Sequence, residues 1–122
     1  MTKIAQIENI AKNLKTIKGI KIAILFGSQA KGRARNDSDT DICIIGDSKK
    51  SELRALEYSS EKIDILPFAK LPLVFQYKVL KYGKILFNRD ERLLTRTKFW
   101  TITKYLNGKY WRDKFTAKVL SC

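Results

Sequence analysis

The sequence predicts an α+β domain in which helices flank a small mixed β-sheet. Three observations lead to this class: apolar residues recur at helical spacing near the N-terminus, short apolar runs have the length of buried strands, and turn signals separate these segments. The chain has 122 residues, enough for one domain with a modest core. We therefore expect a single domain over residues 1–122, with residues 89–118 forming a C-terminal helical segment.

The first half of the chain is expected to alternate between helices and strands. Apolar residues at helical spacing predict an amphipathic helix over about 3–18 that Gly19 ends, namely Ile4, Ile7, Ala11, Leu14 and Ile17. The run 21–26 is apolar after its first residue, which is typical of a strand buried on both faces. A short polar helix is expected as far as Arg33, followed by a turn and a second strand over 39–45.

The middle of the chain has a weaker pattern. Residues 46–51 are interpreted as a polar loop, and 52–59 form a short segment whose structure the pattern does not decide. A third strand is predicted over 62–66, where Pro67 ends it. Cys43, in the apolar run of the second strand, is expected to be a buried and inert thiol.

Helices dominate the predicted C-terminal part. Pro72 is expected to start a helix that Gly83 ends, and its shared face carries Leu73, Tyr77 and Leu80. A short edge strand is predicted over 85–87. The chain is then expected to be helical over about 89–115, with a break at Gly108.

Composition restricts the chemistry that this chain can perform. It contains no histidine, which excludes Ser-His-Asp and Cys-His nucleophilic sites, and two cysteines alone supply too few ligands for zinc. A bound metal is therefore expected to be a hard cation held by carboxylates, Mg²⁺ or Mn²⁺. The net charge of +13 indicates an anionic partner or substrate. No apolar run approaches the ~20 residues of a membrane span, and a signal-peptide core is lacking, so we expect a cytoplasmic protein.

Two aspartates at the start of the second predicted strand form a candidate metal site. Asp39 and Asp41 are two residues apart, so in a strand their side chains project from the same face. Carboxylates crowded on an apolar strand repel each other, and a divalent cation between them removes that cost. Asp64 lies between two isoleucines in the third predicted strand and can supply a third carboxylate if the strands are neighbours. The alternative for Asp64 is a solvated edge residue.

Gly27 and Ser28 lie where a buried strand is expected to turn into a helix. Glycine permits close approach of the backbone, and serine is a favoured helix N-cap. Free N–H groups at a helix start bind phosphate, which makes Ser28 a candidate ligand of a triphosphate. The alternative is that Ser28 is a structural cap alone.

Together these residues carry a resemblance to a known family. Gly27-Ser28 is followed, after ten residues, by Asp39-Thr40-Asp41, which resembles the signature of polymerase-β-type nucleotidyltransferases. The likeness covers about residues 20–90 and is strongest to the minimal nucleotidyltransferases (MNT) that are paired with HEPN toxins. It implies the polymerase-β-type fold over the whole domain. At Lys31 the family usually carries arginine, so the planar bidentate contact of a guanidinium is lost.

The resemblance also implies a reaction. Asp39 and Asp41 would bind two Mg²⁺ ions, Asp64 would bind one of them and help to deprotonate the acceptor, and Gly27, Ser28, Lys31 and Arg33 would bind ATP. AMP would be transferred to a protein hydroxyl, a tyrosine of a HEPN toxin, which would make this chain the antitoxin. Two alternatives stay open: nucleotidylation of a small molecule such as an aminoglycoside, and a binding subunit that neutralises its partner without catalysis.

The basic, aromatic C-terminal segment is a candidate surface for the partner. Phe99, Ile102, Leu106 and Tyr110 make one stripe at helical spacing, which is expected to pack on the sheet. Apolar residues off that stripe are then left to bind a partner, namely Trp100, Trp111 and Phe115. Binding of single-stranded nucleic acid through interleaved basic and aromatic residues is a disfavoured alternative.

Overall fold

A computed structural model of the chain describes residues 3–27 and 40–120, with side chains described for 4–27 and 40–108. The described elements, in order, are α1 (Lys3–Lys15), β1 (Ile20–Phe26), β2 (Thr40–Gly46), α2 (Lys49–Leu56), β3 (Ile63–Pro67), a 3₁₀ turn (Phe68–Lys70), α3 (Leu73–Tyr82), β4 (Lys84–Asn88) and α4 (Glu91–Leu120). The short helix predicted as far as Arg33 lies outside the described residues. In the described part of the chain, no helix is both long and apolar enough to cross a bilayer.

The strands form one mixed sheet, as predicted, in the order β3-β2-β1-β4. β1 pairs antiparallel with β2 and with β4, and β2 pairs parallel with β3. One face packs against α1 and α2 through a cluster that includes Leu14, Ile44 and Ala55. The other face packs against α3 and α4 through a cluster that includes Ile24 and Leu94. The helices therefore form a layer on each side of the sheet, and β1 is buried on both faces.

One expectation for the middle of the chain was wrong, and the bounds of the third strand shift by one residue. The predicted loop 46–51 is shorter, because α2 begins at Lys49 and continues to Leu56. Ser48 caps this helix, since its side-chain oxygen accepts a hydrogen bond of 3.2 Å from the backbone N–H of Ser51. Pro67 is the last residue of β3, where it is tolerated because β3 is an edge strand of the sheet.

The C-terminal helix differs from its prediction in two ways. α4 is continuous through Gly108 instead of broken there. The face turned toward the rest of the molecule contains Leu94 and Thr101, both buried, whereas Phe99 is 61% exposed. The stripe that contains Phe99, Ile102 and Leu106 therefore points to solvent, and the prediction that it packs on the sheet was wrong. Tyr110, Trp111 and Phe115 lie outside the residues with described side chains.

Arg89 connects the end of α1 to the start of β1. Its guanidinium donates hydrogen bonds to the backbone carbonyls of Lys15 (2.8 Å), Ile17 (2.7 Å) and Ile20. Lys15 is the last residue of α1, which ends there and not near 18 as predicted, and Ile20 is the first residue of β1. A planar guanidinium can reach several acceptors at once, so Arg89 holds the helix end, the connection and the strand start together.

Candidate nucleotide and metal site

The candidate site lies at one edge of the sheet, where β1 ends and β2 and β3 begin. Gly27 follows β1 with φ of 94°, a conformation that L side chains rarely adopt. A Cβ built at Gly27 would lie 3.4 Å from Oδ2 of Asp41. The backbone at the end of β1 thus passes close to this carboxylate. Glycine at this position is required by the backbone conformation and also leaves space next to Asp41.

Asp41 and Asp64 are neighbours across two strands. In the antiparallel ladder Asp41 is the partner of Phe26, and in the parallel ladder it is the partner of Asp64. Adjacent strands are ~4.8 Å apart, so the Cα atoms of the two aspartates are separated by about one strand spacing. The condition on which Asp64 could join the site, that its strand neighbours that of Asp41, is therefore met.

Both aspartates project from the face that packs against α3 and α4. Side chains alternate along a strand, and Cys43, two residues after Asp41, packs in the cluster on that face. Ile63 and Ile65, on either side of Asp64, pack on the opposite face. Asp41 is half-buried and Asp64 is exposed, so the pair opens to solvent at the sheet edge.

The other face anchors the strands that carry these carboxylates. Thr40 is fully buried and pairs with Ile63, and its N–H donates a hydrogen bond of 2.9 Å to the carbonyl of Lys62. Ile42 and Ile65 continue the buried row beneath. The aspartates are therefore fixed by packing on the far side of the sheet, which limits how far the two strands can slide.

The donor set fits a hard divalent cation. Carboxylate oxygens are the ligands that Mg²⁺ prefers, and two carboxylates from adjacent strands can share one ion. Among residues 4–27 and 40–108, no group of three potential ligands of the His, Cys, Asp or Glu type comes together. The third predicted carboxylate of the cluster, Asp39, lies outside the described residues, as do Ser28, Lys31 and Arg33.

A cluster of one lysine and two tyrosines at the end of α3 was not identified from the sequence, and it lies near the same edge of the sheet. The ammonium of Lys81 lies 5.7 Å from the ring centroid of Tyr77 and 5.2 Å from that of Tyr82. Its hydrogen bond to Tyr82, with further interactions of Tyr77, raises the pKa of Lys81 above its ordinary value. Lys84, just after this helix end, is the partner of Leu25 in β1. The i,i+4 spacing of Tyr77 and Lys81 was the available signal.

Cys43 takes no part in this site. It is fully buried among apolar side chains, and burial raises the pKa of its thiol far above the ordinary range. The thiolate is the nucleophilic form, so a thiol in this position is inert. The expectation of a buried, structural cysteine is confirmed for Cys43, while Cys122 lies outside the described residues.

The comparisons with known proteins agree with this geometry. The family model "Polymerase beta, Nucleotidyltransferase" matches residues 8–92. "Putative protein adenylyltransferase MJ1547" of Methanocaldococcus jannaschii is 32% identical over 90 residues, which cover 74% of this chain and 68% of that protein.

Two solved structures share the fold at lower identity. A chain of a toxin–antitoxin complex with AMP-PNP superimposes with a TM-score of 0.74 at 19% identity, covering 93% of this chain and 98% of its own. A chain from the complex of a tri-AMPylated Shewanella oneidensis HEPN toxin with an MNT antitoxin has a TM-score of 0.67 at 19% identity, covering 93% and 95%.

Proposed function

Because this chain belongs to the polymerase beta nucleotidyltransferase family, we propose that it transfers AMP from ATP to a hydroxyl of a partner protein. The observation that carries the proposal is the pairing of Asp41 with Asp64 beside Gly27. Two carboxylates on adjacent strands, next to a backbone segment without a side chain, suit a phosphate-bound divalent cation. We place this reaction in the cytoplasm, where ATP is available.

The residues of the proposed site divide into two roles. Asp39, Asp41 and Asp64 hold Mg²⁺, for which Mn²⁺ can substitute, and two bound ions would supply charge neutralisation for in-line phosphoryl transfer. The triphosphate is bound by backbone N–H groups, by one hydroxyl and by two positively charged side chains, which belong to Gly27, Ser28, Lys31 and Arg33. In this proposal the carboxylates orient ATP through the bound metal ions, and the other four residues orient it through its phosphates.

The reaction is a substitution at the α-phosphorus of ATP. The acceptor oxygen forms a bond to this phosphorus, the bond from the phosphorus to the bridging oxygen of the β-phosphate breaks, and pyrophosphate leaves. The hydroxyl proton passes to the carboxylate of Asp64 and then to water, since Asp64 is exposed. Positioning and charge stabilisation account for the rate enhancement, which suits a chain without histidine.

We further propose that the acceptor is a tyrosine of a HEPN toxin and that this chain is the antitoxin. Support comes from the adenylyltransferase relative and from the fold shared with a complex that contains an AMPylated HEPN toxin. The family resemblance implies that HEPN toxins are ribonucleases and that this tyrosine lies near the ribonuclease site. An AMP group there would place a bulky anion where RNA binds, which would block the toxin. A small acceptor such as an aminoglycoside is less suited, because a free hydroxyl is not oriented for attack.

The test is an adenylylation assay with purified components. The gene beside that of this chain is first inspected for a HEPN protein. The chain, ATP and Mg²⁺ are then incubated with that neighbouring gene product, and intact-mass spectrometry follows the partner. We expect the partner to gain the mass of one or more AMP groups, and fragmentation to locate them on tyrosine. The gain should disappear with EDTA and with Asp41→Asn.

The alternatives give different outcomes in the same assay. If the partner is bound and neutralised without any gain in mass, the chain is a binding subunit and not an enzyme. If ATP is consumed with an aminoglycoside and not with the partner protein, the acceptor is a small molecule.

A further inference from the structure

One face of α4 presents large apolar side chains to solvent. Phe99, Ile102 and Leu106, which we call the apolar strip, are 61%, 38% and 53% exposed. They recur at spacings of three and four residues, so they form a continuous row on one side of the helix. Trp100 is also exposed and touches Phe99 edge to face, with ring centroids 5.5 Å apart. Contiguous apolar rows of this kind mark interaction surfaces.

The helix that carries the strip is held in one orientation. The rings of Tyr77 in α3 and Tyr105 in α4 stack with centroids 3.9 Å apart and an interplanar angle of 7°. Leu94 and Thr101 are buried on the same side of α4. The inward face of α4 is therefore used, and the strip cannot turn inward without breaking these contacts.

The surroundings of the strip indicate the chemistry of what covers it. Exposed basic residues stand three, four or seven positions before members of the strip and so flank it on the helix, namely Arg92, Arg96 and Lys98. The acidic residue of this stretch is Glu91. A shallow cavity of about 480 Å³ lies next to Phe99, between Glu91 and Arg96. An apolar centre with a basic rim complements a protein surface that has an apolar centre and carboxylates around it.

Two other occupants fit less well. A second copy of this chain would bring together two molecules of charge +13, which repel each other. Nucleic acid would satisfy the basic rim but has no counterpart for the aliphatic side chains of Ile102 and Leu106. An acidic protein satisfies both parts of the surface.

We propose that the apolar strip of α4 is the docking surface for the acceptor protein, and that this protein meets it with an acidic, apolar-centred surface. The inference rests on the proposed function, because it names where the acceptor of that reaction binds. α4 covers the same face of the sheet from which Asp41 and Asp64 project. A protein docked on the strip therefore lies on the same side of the sheet as the two carboxylates.

The test compares substitutions of exposed apolar residues on two helices that cover opposite faces of the sheet. Leu106→Ser and Phe99→Ser remove parts of the strip, and Leu53→Ser removes a 61% exposed leucine of α2, the helix on the other face. The Kd for the HEPN partner is measured without nucleotide by calorimetry, and folding is checked by thermal melting. We expect the double variant Phe99→Ser/Leu106→Ser to bind at least about tenfold more weakly, and Leu53→Ser to bind like the wild type.

The outcomes separate this inference from the function on which it rests. If the wild type adenylylates the partner and the double variant binds and modifies it equally well, the docking surface is wrong while the function stands. If the wild type binds and modifies nothing, the proposed function fails. Light scattering of the free chain measures its oligomeric state, and titration with a 20-nucleotide oligouridylate measures its affinity for RNA. Two results would overturn the proposal. The wild type could be a dimer that the double variant no longer forms, or the double variant could lose affinity for RNA while it still binds the partner.

Discussion

Asp64 stands directly beside Asp41 in the parallel ladder between β2 and β3, so the candidate site is built from two consecutive strands that the crossover through α2 brings side by side. Both side chains project from the face covered by α3 and α4, and Gly27 brings the end of β1 next to Asp41. Substitutions of the carboxylates should therefore affect catalysis without unfolding the protein, whereas a substitution of Gly27 should affect both.

Asp41→Asn is expected to lower the rate of AMP transfer about a hundredfold or more, because several kcal/mol of charge stabilisation depend on the cation. The fold should persist, and the melting temperature without metal should rise slightly because repulsion with Asp64 falls. Asp47→Asn is the control, since Asp47 follows β2 at the opposite end and contacts Ser51. Full activity of Asp41→Asn with Mg²⁺ present would remove Asp41 from the site.

Gly27→Ala is expected to lower both the free energy of unfolding and the affinity for ATP. The positive φ costs about 1–3 kcal/mol for an L side chain, and the new methyl group would lie against the carboxylate of Asp41. Gly19→Ala, at the other end of β1, also crowds its neighbours but should leave the ATP affinity of the folded protein unchanged. Equal ATP affinities of the two variants in titration calorimetry would contradict the placement of the triphosphate.

Ser28→Ala should weaken ATP binding by about 1–3 kcal/mol, as expected when a charge-assisted hydrogen bond is lost while the backbone donors stay. Ser48→Ala is the matched control. It should lower the free energy of unfolding by about 1 kcal/mol, because α2 loses its cap, and leave ATP affinity unchanged. Unaltered ATP affinity and rate in Ser28→Ala would reduce Ser28 to a structural residue.

Burial of Cys43 should make stability depend on alkaline pH. The folded state keeps the thiol neutral, while in the unfolded chain it ionises near pH 9. The stabilisation is thus fully present below about pH 8.5 and is lost as pH rises further, at up to about 1.4 kcal/mol per pH unit. Urea titrations of Cys43→Val from pH 7 to 10 should lack this contribution. A wild-type slope equal to that of Cys43→Val would show that the native thiol ionises freely.

Arg89→Met should lower the free energy of unfolding by about 1–3 kcal/mol, because the carbonyls of Lys15, Ile17 and Ile20 lose a charged donor. Arg89→Lys should restore only part of this loss, since an ammonium cannot reach several acceptors in one plane. Thermal melts should rank the stabilities as wild type, then Arg89→Lys, then Arg89→Met. Equal stability of the lysine variant and the wild type would show that charge alone matters.

The sequence was sufficient for the strands and for the face from which each carboxylate projects. Asp41 stands at the start of one apolar run and Asp64 within another, and alternation along a strand gives the direction of each side chain. That the two strands are neighbours stayed a condition, because strand order is a property of the tertiary fold. Helix α2 was missed because Ala55 is its one buried residue in the described structure, which is too little for a periodic pattern. Its cap, Ser48, was the signal that could have found it.

The orientation of α4 could not be predicted from hydrophobicity. The most apolar stripe, with Phe99, faces solvent, while the buried face includes Thr101. Which face of a helix packs depends on the tertiary partner, here the tyrosine stack with Tyr77, and the stripe with the largest side chains is then free for another molecule. Gly108 likewise does not interrupt the helix.

The parallel pairing of β2 with β3 links activity to the order in which the chain folds. A partly folded chain with only the β1–β2 hairpin would already hold Asp41 beside Gly27 but would lack Asp64. The second carboxylate arrives when the crossover through α2 closes, a non-local step that is slower than hairpin formation. AMP transfer during refolding should therefore lag behind the β1–β2 hairpin, and a nascent chain released before β3 would be catalytically silent.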